Sequence, residues 1–416
     1  MVLTFFIIAF LNYGIFAFAT PYAPYKIRLG LSLVWFVLAF TINKKFVKTF
    51  CIQCWPLLFF YFYVIVISLF VKKNLWSWPY TGSSEIPSLL MIYSIFLYYF
   101  DEKYRKFQKF LSVFLFLDCM VVAINTYIQL QMNPLIARYL AAGLGTETRE
   151  RLLGTATFYG VGGYEYFYSL VSIILLLGFL FLNYRKKNYL TLLLIFAFTV
   201  ILIQASYMIS IVFTFIFLVL LVIMRYTNKY TFVVITLLVI ITLLIFQGTF
   251  VSMFEKLADI KDISYTLSKR FNELALFFSG SNVSGTDLNA RQNLYSQSID
   301  AFANNVLTGT VLTSSTVYSA GNHAAWLDLL ADFGLFSIPF FIFWFRAYKY
   351  CKNKAPLFFR PFVTVYWLYY VCLGFVNSLF FANIYTTWLL FLPFFISSFF
   401  KTNEKNAVLE FKNRNI

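Results

Sequence analysis

Long apolar runs, separated by mostly short polar segments, follow one another along nearly the whole chain. Each run is continuously apolar rather than alternating, which is typical of membrane-spanning helices and not of barrel strands. The pattern predicts about twelve spans, at roughly 1–18, 29–42, 51–71, 86–100, 110–131, 166–183, 189–204, 206–224, 231–247, 324–345, 361–378 and 383–400. We therefore expect an all-α polytopic membrane protein in which residues 1–416 form a single integral membrane domain.

Two of the predicted loops are much longer than the others. They cover about 132–165 and 248–323 and are rich in aromatic and aliphatic residues. Long loops in compact proteins are usually functional or disordered, and this composition argues against disorder. We expect both segments to fold as external caps that contain short helices.

Basic residues are unevenly distributed between the two sides of this topology. With both termini inside, 21 of the 33 lysines and arginines lie on the inside and 12 on the outside. Because basic loops remain in the cytoplasm, this imbalance predicts cytoplasmic termini and external caps. The chain is 61% hydrophobic, so its net charge of +16 is attributed to orientation and to anionic membrane lipids, not to a nucleic-acid partner.

The five cysteines do not form a metal or disulfide pattern. Cys51 and Cys54 have C-x-x-C spacing, but no second pair is near and the one histidine is distant in sequence. A metal site of this kind needs further ligands. The sequence also lacks a D-x-D-type box and a phosphate-binding glycine loop, so we expect neither a metal nor a cofactor.

The one histidine, His323, lies where the second long loop meets an apolar span. A neutral imidazole at such a boundary is a candidate general base, because its pKa lies near working pH. Along a helix beginning there, Gly334 lies on the histidine's face and allows a neighbouring backbone to approach closely. The alternative is that His323 only caps the helix or hydrogen-bonds to a carbonyl.

Arginines in the two long loops are the second group of candidates. Their planar side chains donate two parallel hydrogen bonds, which suits a diphosphate. Arg291 begins an amphipathic stretch whose apolar face is formed by Leu294, Ile299, Phe302 and Val306. The alternative is that each arginine is a solvated or structural charge. The candidates are Arg149, Arg151, Arg270 and Arg291.

Four carboxylates lie within the predicted spans or at their mouths. Glu165, next to Tyr164, is at the mouth of one span, and Asp118, Asp328 and Asp332 are inside others. An ionisable residue at membrane depth is costly and is a functional candidate for that reason. The alternative for Asp328 and Asp332 is a hydrogen bond to an adjacent helix or to loop backbone.

Two motifs resemble those of a known family. His323 begins the pattern H-x-x-W-L-x-x-L-A-D-x-G, and Arg291 begins R-x-x-L-Y, followed by N-N-V-L-T-G at 304–309. The pair resembles the signatures of the O-antigen polymerase and O-antigen ligase superfamily. Both motifs lie in or just after the larger external loop, as in that family.

The match departs from the family pattern at several positions. Ala324 stands where the family has an asparagine, and Asn322 precedes the histidine instead. Val306 replaces a proline and Val311 replaces a glycine. Ligases of the family often carry an arginine after a T-Q-T-like element, whereas residues 203–207 read I-Q-A-S-Y. This difference favours the polymerase over the ligase.

The resemblance implies a GT-C-like, inverting glycosyltransferase at the outer face of the bacterial inner membrane. It would polymerise undecaprenyl-diphosphate-linked repeat units of an O-antigen, capsule or exopolysaccharide. Its partners would be that lipid-linked glycan, membrane lipids and a chain-length regulator, and it would need no metal. The implied catalytic residues are His323, which orients or deprotonates the acceptor hydroxyl, and Arg291, which holds the diphosphate. Arg270, with Arg149 or Arg151, would hold the diphosphate together with Arg291. Asn322, Tyr164 and Glu165 are further predicted substrate-binding residues.

Two other functions stay open at the level of sequence. One is ligation of finished glycan to lipid A-core, within the same family. The other is non-enzymatic transport of lipid-linked oligosaccharide. A transporter is expected to show paired broken helices or inverted repeats and several midplane charges, and this sequence shows few of these.

Overall fold

The computed structural model of the chain describes residues 1–11, 25–70, 86–132, 136–137, 160–183, 189–226, 247–260, 265–279, 287–312, 321 and 324–400. Within these ranges all regular secondary structure is helical, and no strand is present. The α-helices, numbered in chain order, are α1 Val2–Leu11, α2 Tyr25–Ile42, α3 Lys44–Phe70, α4 Ile86–Tyr99, α5 Arg105–Met132, α6 Tyr164–Asn183, α7 Tyr189–Gln204, α8 Met208–Tyr226, α9 Gln247–Ala258, α10 Tyr265–Ser279, α11 Asp287–Asn304, α12 Ala325–Phe333, α13 Ile338–Lys354, α14 Arg360–Val376, α15 Ala382–Tyr385 and α16 Leu392–Phe400.

Apolar helices long enough to cross a membrane recur along the described part of the chain. Seven meet that requirement by length and composition, and three shorter apolar helices accompany them. The chain is therefore an all-α, multi-pass membrane protein, as predicted. The predicted span at 231–247 lies almost entirely outside the described residues. The seven are Lys44–Ile67, Glu102–Met132, Tyr164–Asn183, Met208–Arg225, Ala325–Lys354, Leu357–Val376 and Ala382–Phe400.

Aromatic side chains fill the centre of the bundle. Trp388 lies on a π-helical turn, Thr386–Phe391, between α15 and α16. Its ring centroid is 3.7 Å from that of Trp344 on α13 and 4.3 Å from that of Trp367 on α14. Large rings close the space between three helices by dispersion contacts, which is how membrane helices associate without a hydrophobic driving force.

The larger of the two long segments, 248–323, contains short helices in its described part, as predicted. The helices α9, α10 and α11 cover most of its described part. Of the predicted apolar face that begins on α11, Leu294 and Phe302 are half-buried, whereas Ile299 and Val306 are 52% and 43% exposed. In the smaller segment, residues 138–159 lie outside the described part of the chain.

The predicted continuous span at 324–345 is interrupted at Gly334. This residue has φ +56° and ends α12, a 3-10 turn Gly334–Ser337 follows, and α13 then continues. The interruption arises because backbone N–H groups of the turn after α11 bond to the last carbonyls of α12. Ala331 and Asp332 accept bonds from the backbone N–H groups of Thr310 (2.8 Å) and Val311 (3.0 Å). A straight helix would direct those carbonyls to the N–H groups four residues ahead.

Gly334 allows the close backbone approach that its position in the sequence predicted. The N–H of Leu335 donates to the carbonyls of Val306 (2.9 Å) and Leu307 (3.1 Å). A Cβ at Gly334 would collide with the Val306 carbonyl and lie 2.7 Å from the Leu307 carbonyl carbon. Only glycine combines this contact with a positive φ at little cost.

Candidate functional site

Arg291 lies on the first half of α11 and reaches the end of α14. Its Nη1 donates to the carbonyl of Val376 at 3.5 Å, and the Tyr295 hydroxyl donates to the same carbonyl at 3.1 Å. Arg291 and Tyr295 are four residues apart and so share one face of α11. Val376 is the last residue of α14, where carbonyls lack helical partners and a cation is favoured by the helix dipole.

The next carbonyl along the chain binds the start of α12. The N–H of Ala325 donates to the Asn377 carbonyl at 3.2 Å. The Asn377 side chain donates through Nδ2 to the hydroxyl of Tyr168 on α6, while its Oδ1 accepts from the Ser378 N–H at 2.9 Å. Residues 376–383 run from the last residue of α14 into the start of α15, and they are contacted by α6, α11 and α12. We call this segment the junction.

Asp328 ties α11 to the start of α12. Its Oδ1 accepts from Ser298 Oγ at 2.6 Å, and its Oδ2 accepts from the Ala324 N–H at 2.9 Å. Gly321 packs into the same contact, since a Cβ there would collide with Ser298 Oγ and lie 2.6 Å from the Leu294 carbonyl. Gly321 and Ala324, which flank Asn322 and His323 in the sequence, therefore contact α11 and the Asp328 carboxylate respectively.

Asn322 and His323 lie between those two residues in the sequence and are outside the described part of the chain, as are Arg149 and Arg151. The residues on either side of these two, Gly321 and Ala324, are described. Two residues after His323, the N–H of Ala325 donates to the Asn377 carbonyl, next to the Val376 carbonyl that accepts from Arg291.

Tyr164 and Glu165 also lie at the junction, as the first residues of α6. Asn383 Nδ2 donates to Glu165 Oε2 at 3.3 Å, and the Tyr164 ring meets the Phe381 ring edge-on at 5.0 Å. A carboxylate in the first turn of a helix is stabilised by the helix dipole. Both residues therefore share a structural segment with Arg291, although they come from distant parts of the sequence.

Arg270 is held within its own helix. Its Nη1 forms an ion pair with Glu273 Oε2 at 2.6 Å on α10, and Lys269 lies 3.8 Å from the other carboxylate oxygen. Glu273 is buried. Arg270 is therefore positioned on α10 by its ion pair with Glu273.

The aspartates of α12 follow the structural interpretation as well. Asp328 bonds to α11 and to loop backbone, and Asp332 Oδ1 accepts from the Thr310 hydroxyl at 3.5 Å. Asp118 on α5 is buried. The hydrogen bonds of Asp328 and Asp332 to a neighbouring helix and loop explain how two carboxylates are accommodated in one apolar helix.

Sequence reasoning missed three polar residues of this site. Tyr295 ends the R-x-x-L-Y motif, and Tyr295 and Ser298 follow Arg291 at i+4 and i+7. This spacing places both on the face of Arg291 but does not predict their hydrogen-bond partners. Asn377 and Ser378 interrupt an apolar run, and that interruption is the only sequence feature that marks Asn377. Burial raises the pKa of the Tyr295 hydroxyl, while nearby Arg291 opposes that rise. The hydroxyl therefore stays protonated at neutral pH and donates a hydrogen bond.

Comparison of the sequence with protein-family models and with curated proteins finds no match to either. The function is therefore argued from the two motifs and from the way their helices meet at the junction.

Proposed function

We propose that this protein is an inverting glycosyltransferase that polymerises undecaprenyl-diphosphate-linked oligosaccharide repeat units at the outer face of the bacterial inner membrane. One observation carries the proposal. Arg291 and the chain that follows His323, which form two separate sequence motifs, contact neighbouring carbonyls at Val376 and Asn377. A cation for the leaving group and a base for the acceptor are needed side by side in such a transfer.

Arg291 supplies the electrostatic part of the proposed mechanism. A guanidinium has five N–H donors, and the Val376 carbonyl accepts from one nitrogen, so donors remain for a diphosphate. The carbonyl fixes the direction of the side chain before substrate binds, which lowers the cost of ordering it. Negative charge that develops on the leaving diphosphate is then stabilised by a preorganised cation.

His323 supplies the proton transfer in this proposal. The acceptor hydroxyl oxygen attacks the anomeric carbon while the bond from that carbon to the diphosphate oxygen breaks. The hydroxyl proton passes to the imidazole, and undecaprenyl diphosphate leaves as the anion beside Arg291. A single displacement inverts the anomeric configuration. The chemistry requires only these side chains and the two lipid-linked substrates.

The proposed orientation follows from charge. The contacts at the junction involve the C-terminal end of α14 and the N-terminal ends of α6 and α12. Basic residues lie at the opposite ends of the same helices and their neighbours, for example Lys354 at the end of α13 and Arg360 at the start of α14. By the positive-inside rule the junction faces the periplasm, where the lipid-linked donor is presented.

Reconstitution tests the activity directly. The purified protein is incorporated into liposomes with its lipid-diphosphate repeat unit and, in a parallel sample, with lipid A-core. A ladder of lengthening glycans supports the polymerase. A single transfer to lipid A-core indicates the ligase instead, and flipping of the intact lipid-linked glycan without transfer indicates a transporter.

Replacing Arg291 tests its role. Arg291→Ala is expected to reduce polymerisation by roughly 10² to 10³, the usual cost of removing one charge-stabilising donor. Arg291→Lys is expected to recover only part, because lysine is a point charge without a planar fork. Tyr295→Phe is the matched control, since it removes a bond to the same carbonyl without removing charge. Full activity of the lysine variant would argue against bidentate diphosphate binding.

Replacing His323 tests the proposed base. His323→Ala is expected to lower the transfer rate by roughly 10² to 10⁴ without changing membrane insertion, since general-base catalysis typically contributes that much. Polymerisation rate and the amount of inserted protein are measured on the same membranes. Wild-type chain extension in the variant would remove His323 from the mechanism.

A further inference from the structure

An exposed apolar surface lies on the turn that follows α11. Leu307 is 67% exposed and Val306 43% exposed, although both belong to a segment outside the membrane-spanning helices. Leucine and valine side chains left in water lose the favourable transfer free energy of burial. This pair therefore forms an apolar surface that the described part of the chain leaves uncovered.

The turn adjoins an exposed apolar surface on a segment that is long and apolar enough to cross a membrane. Along α13 and the turn before it, Leu335, Ile338, Ile342 and Phe345 are exposed. Their spacing of three, four and three residues places them near one face of a membrane-spanning segment. Leu335 is the point of contact, because its N–H donates to the carbonyls of both Val306 and Leu307. The exposed apolar residues of the span and those of the turn are thus joined through the backbone of Leu335.

The backbone of the turn is also suited to an apolar environment. Besides the two carbonyls bonded to Leu335, the Gly309 N–H donates to the Asn305 carbonyl at 2.8 Å. The Asn305 side chain donates to the Ala301 carbonyl at 3.2 Å. Irregular backbone is tolerated at membrane depth only when its polar groups are bonded within the protein. The carbonyls of Asn305, Val306 and Leu307 are therefore all bonded within the protein.

We infer that residues 305–308 form a lipid-contacting turn, which inserts Val306 and Leu307 among the acyl chains of the bilayer surface. The turn anchors the end of α11 to the membrane, and α11 carries Arg291 at its other end. The inference depends on exposure and on the contact with an exposed apolar span, and it holds whether or not the protein is a glycosyltransferase.

Site-specific fluorescence in lipid nanodiscs tests the inference on the full chain. Leu307→Cys is prepared in a background of Cys51→Ser and Cys372→Ser, because the other three cysteines are buried. The matched control is Gln297→Cys, at an exposed polar position of α11. Each variant carries a polarity-sensitive label, which is quenched separately by brominated acyl-chain lipids and by aqueous iodide.

The ratio of lipid quenching to iodide quenching is expected to be at least several-fold higher at residue 307 than at residue 297. Val306→Cys provides a second position and is expected to behave like Leu307→Cys. A ratio at 307 within twofold of that at 297 would overturn the inference. So would quenching by neither agent, because the turn would then be covered by protein.

Discussion

At the scale of single residues, Asp328 shows how one carboxylate can organise a site. Its two oxygens bond to different segments, Ser298 on α11 and the backbone of Ala324. A buried carboxylate is stable only when such bonds replace its lost hydration. Asp328 therefore fixes the start of α12 relative to the helix that carries Arg291.

Removing these bonds one at a time separates their contributions. Ser298→Ala loses one bond and Asp328→Ala loses both, so the second variant is expected to unfold at a lower temperature. Each buried polar group left without its partner costs about 1–3 kcal/mol. The control is Ser296→Ala, two residues away on the exposed side of α11, where little change is expected. Thermal unfolding in detergent measures the order, and equal midpoints for all three variants would contradict it.

Tyr295 gives a prediction about pH. Its hydroxyl donates to Val376 only while protonated, and burial raises its pKa above the ordinary value near 10. Because the folded-state pKa is raised, the stabilisation is fully present below about pH 10 and is lost as pH rises through the folded pKa. The stability difference between wild type and Tyr295→Phe is expected to stay constant from about pH 6 to pH 9. Denaturant titrations at several pH values measure it, and a difference that shrinks within this window would contradict the assignment.

At the scale of elements, the interruption between α12 and α13 was the feature least accessible from sequence. The run 324–345 is apolar on both sides of Gly334 and therefore predicts one helix. The interruption arises because Thr310 and Val311, more than 20 residues earlier in the chain, bond to Ala331 and Asp332. Hydrophobic periodicity reports which residues leave water, and it carries no information about long-range bonds of this kind.

Glycine variants test whether the turn and Gly334 form one unit. Gly334→Ala and Gly309→Ala both place a Cβ against backbone at positive φ, and each is expected to lower stability by more than about 1 kcal/mol. Gly30→Ala on α2 is the control, because its Cβ would meet open space. That control is expected to be neutral or slightly stabilising, as alanine favours helix. Similar thermal midpoints for all three variants would show that the close approach is unimportant.

Local sequence patterns do not report long-range contacts, and this explains which parts of the site could be predicted. Arg291 was identifiable because its residue type suits an anionic ligand. Its contact with Val376 crosses 85 residues of sequence, and the Asn377 contact with Tyr168 crosses 209. The all-α, multi-pass character, by contrast, follows from local composition and is confirmed by the seven long apolar helices among the described residues.

At the scale of the whole molecule, the junction lies at the C-terminal end of α14, and the basic residue Arg360 lies at the opposite end of that helix. The charge asymmetry predicts that residues 132–165 and 248–323 are outside. A reporter active only outside the cytoplasm is therefore expected to work when fused after residue 150 or 285. The same reporter is expected to fail after residue 186 or 353, where basic loops are retained inside. One inverted pair would contradict the topology.

The junction also has a consequence for the order of events during biosynthesis. Val376 and Asn377 leave the ribosome after Tyr168, Arg291 and Ala325, yet they hold all three. Chains are made from the N-terminus onward, and earlier segments fold first. While α14 is still being synthesised, Arg291 lacks the carbonyl that directs it and α12 lacks the acceptor for its first residue. A nascent chain therefore completes most of its helices before the contacts of the junction can form.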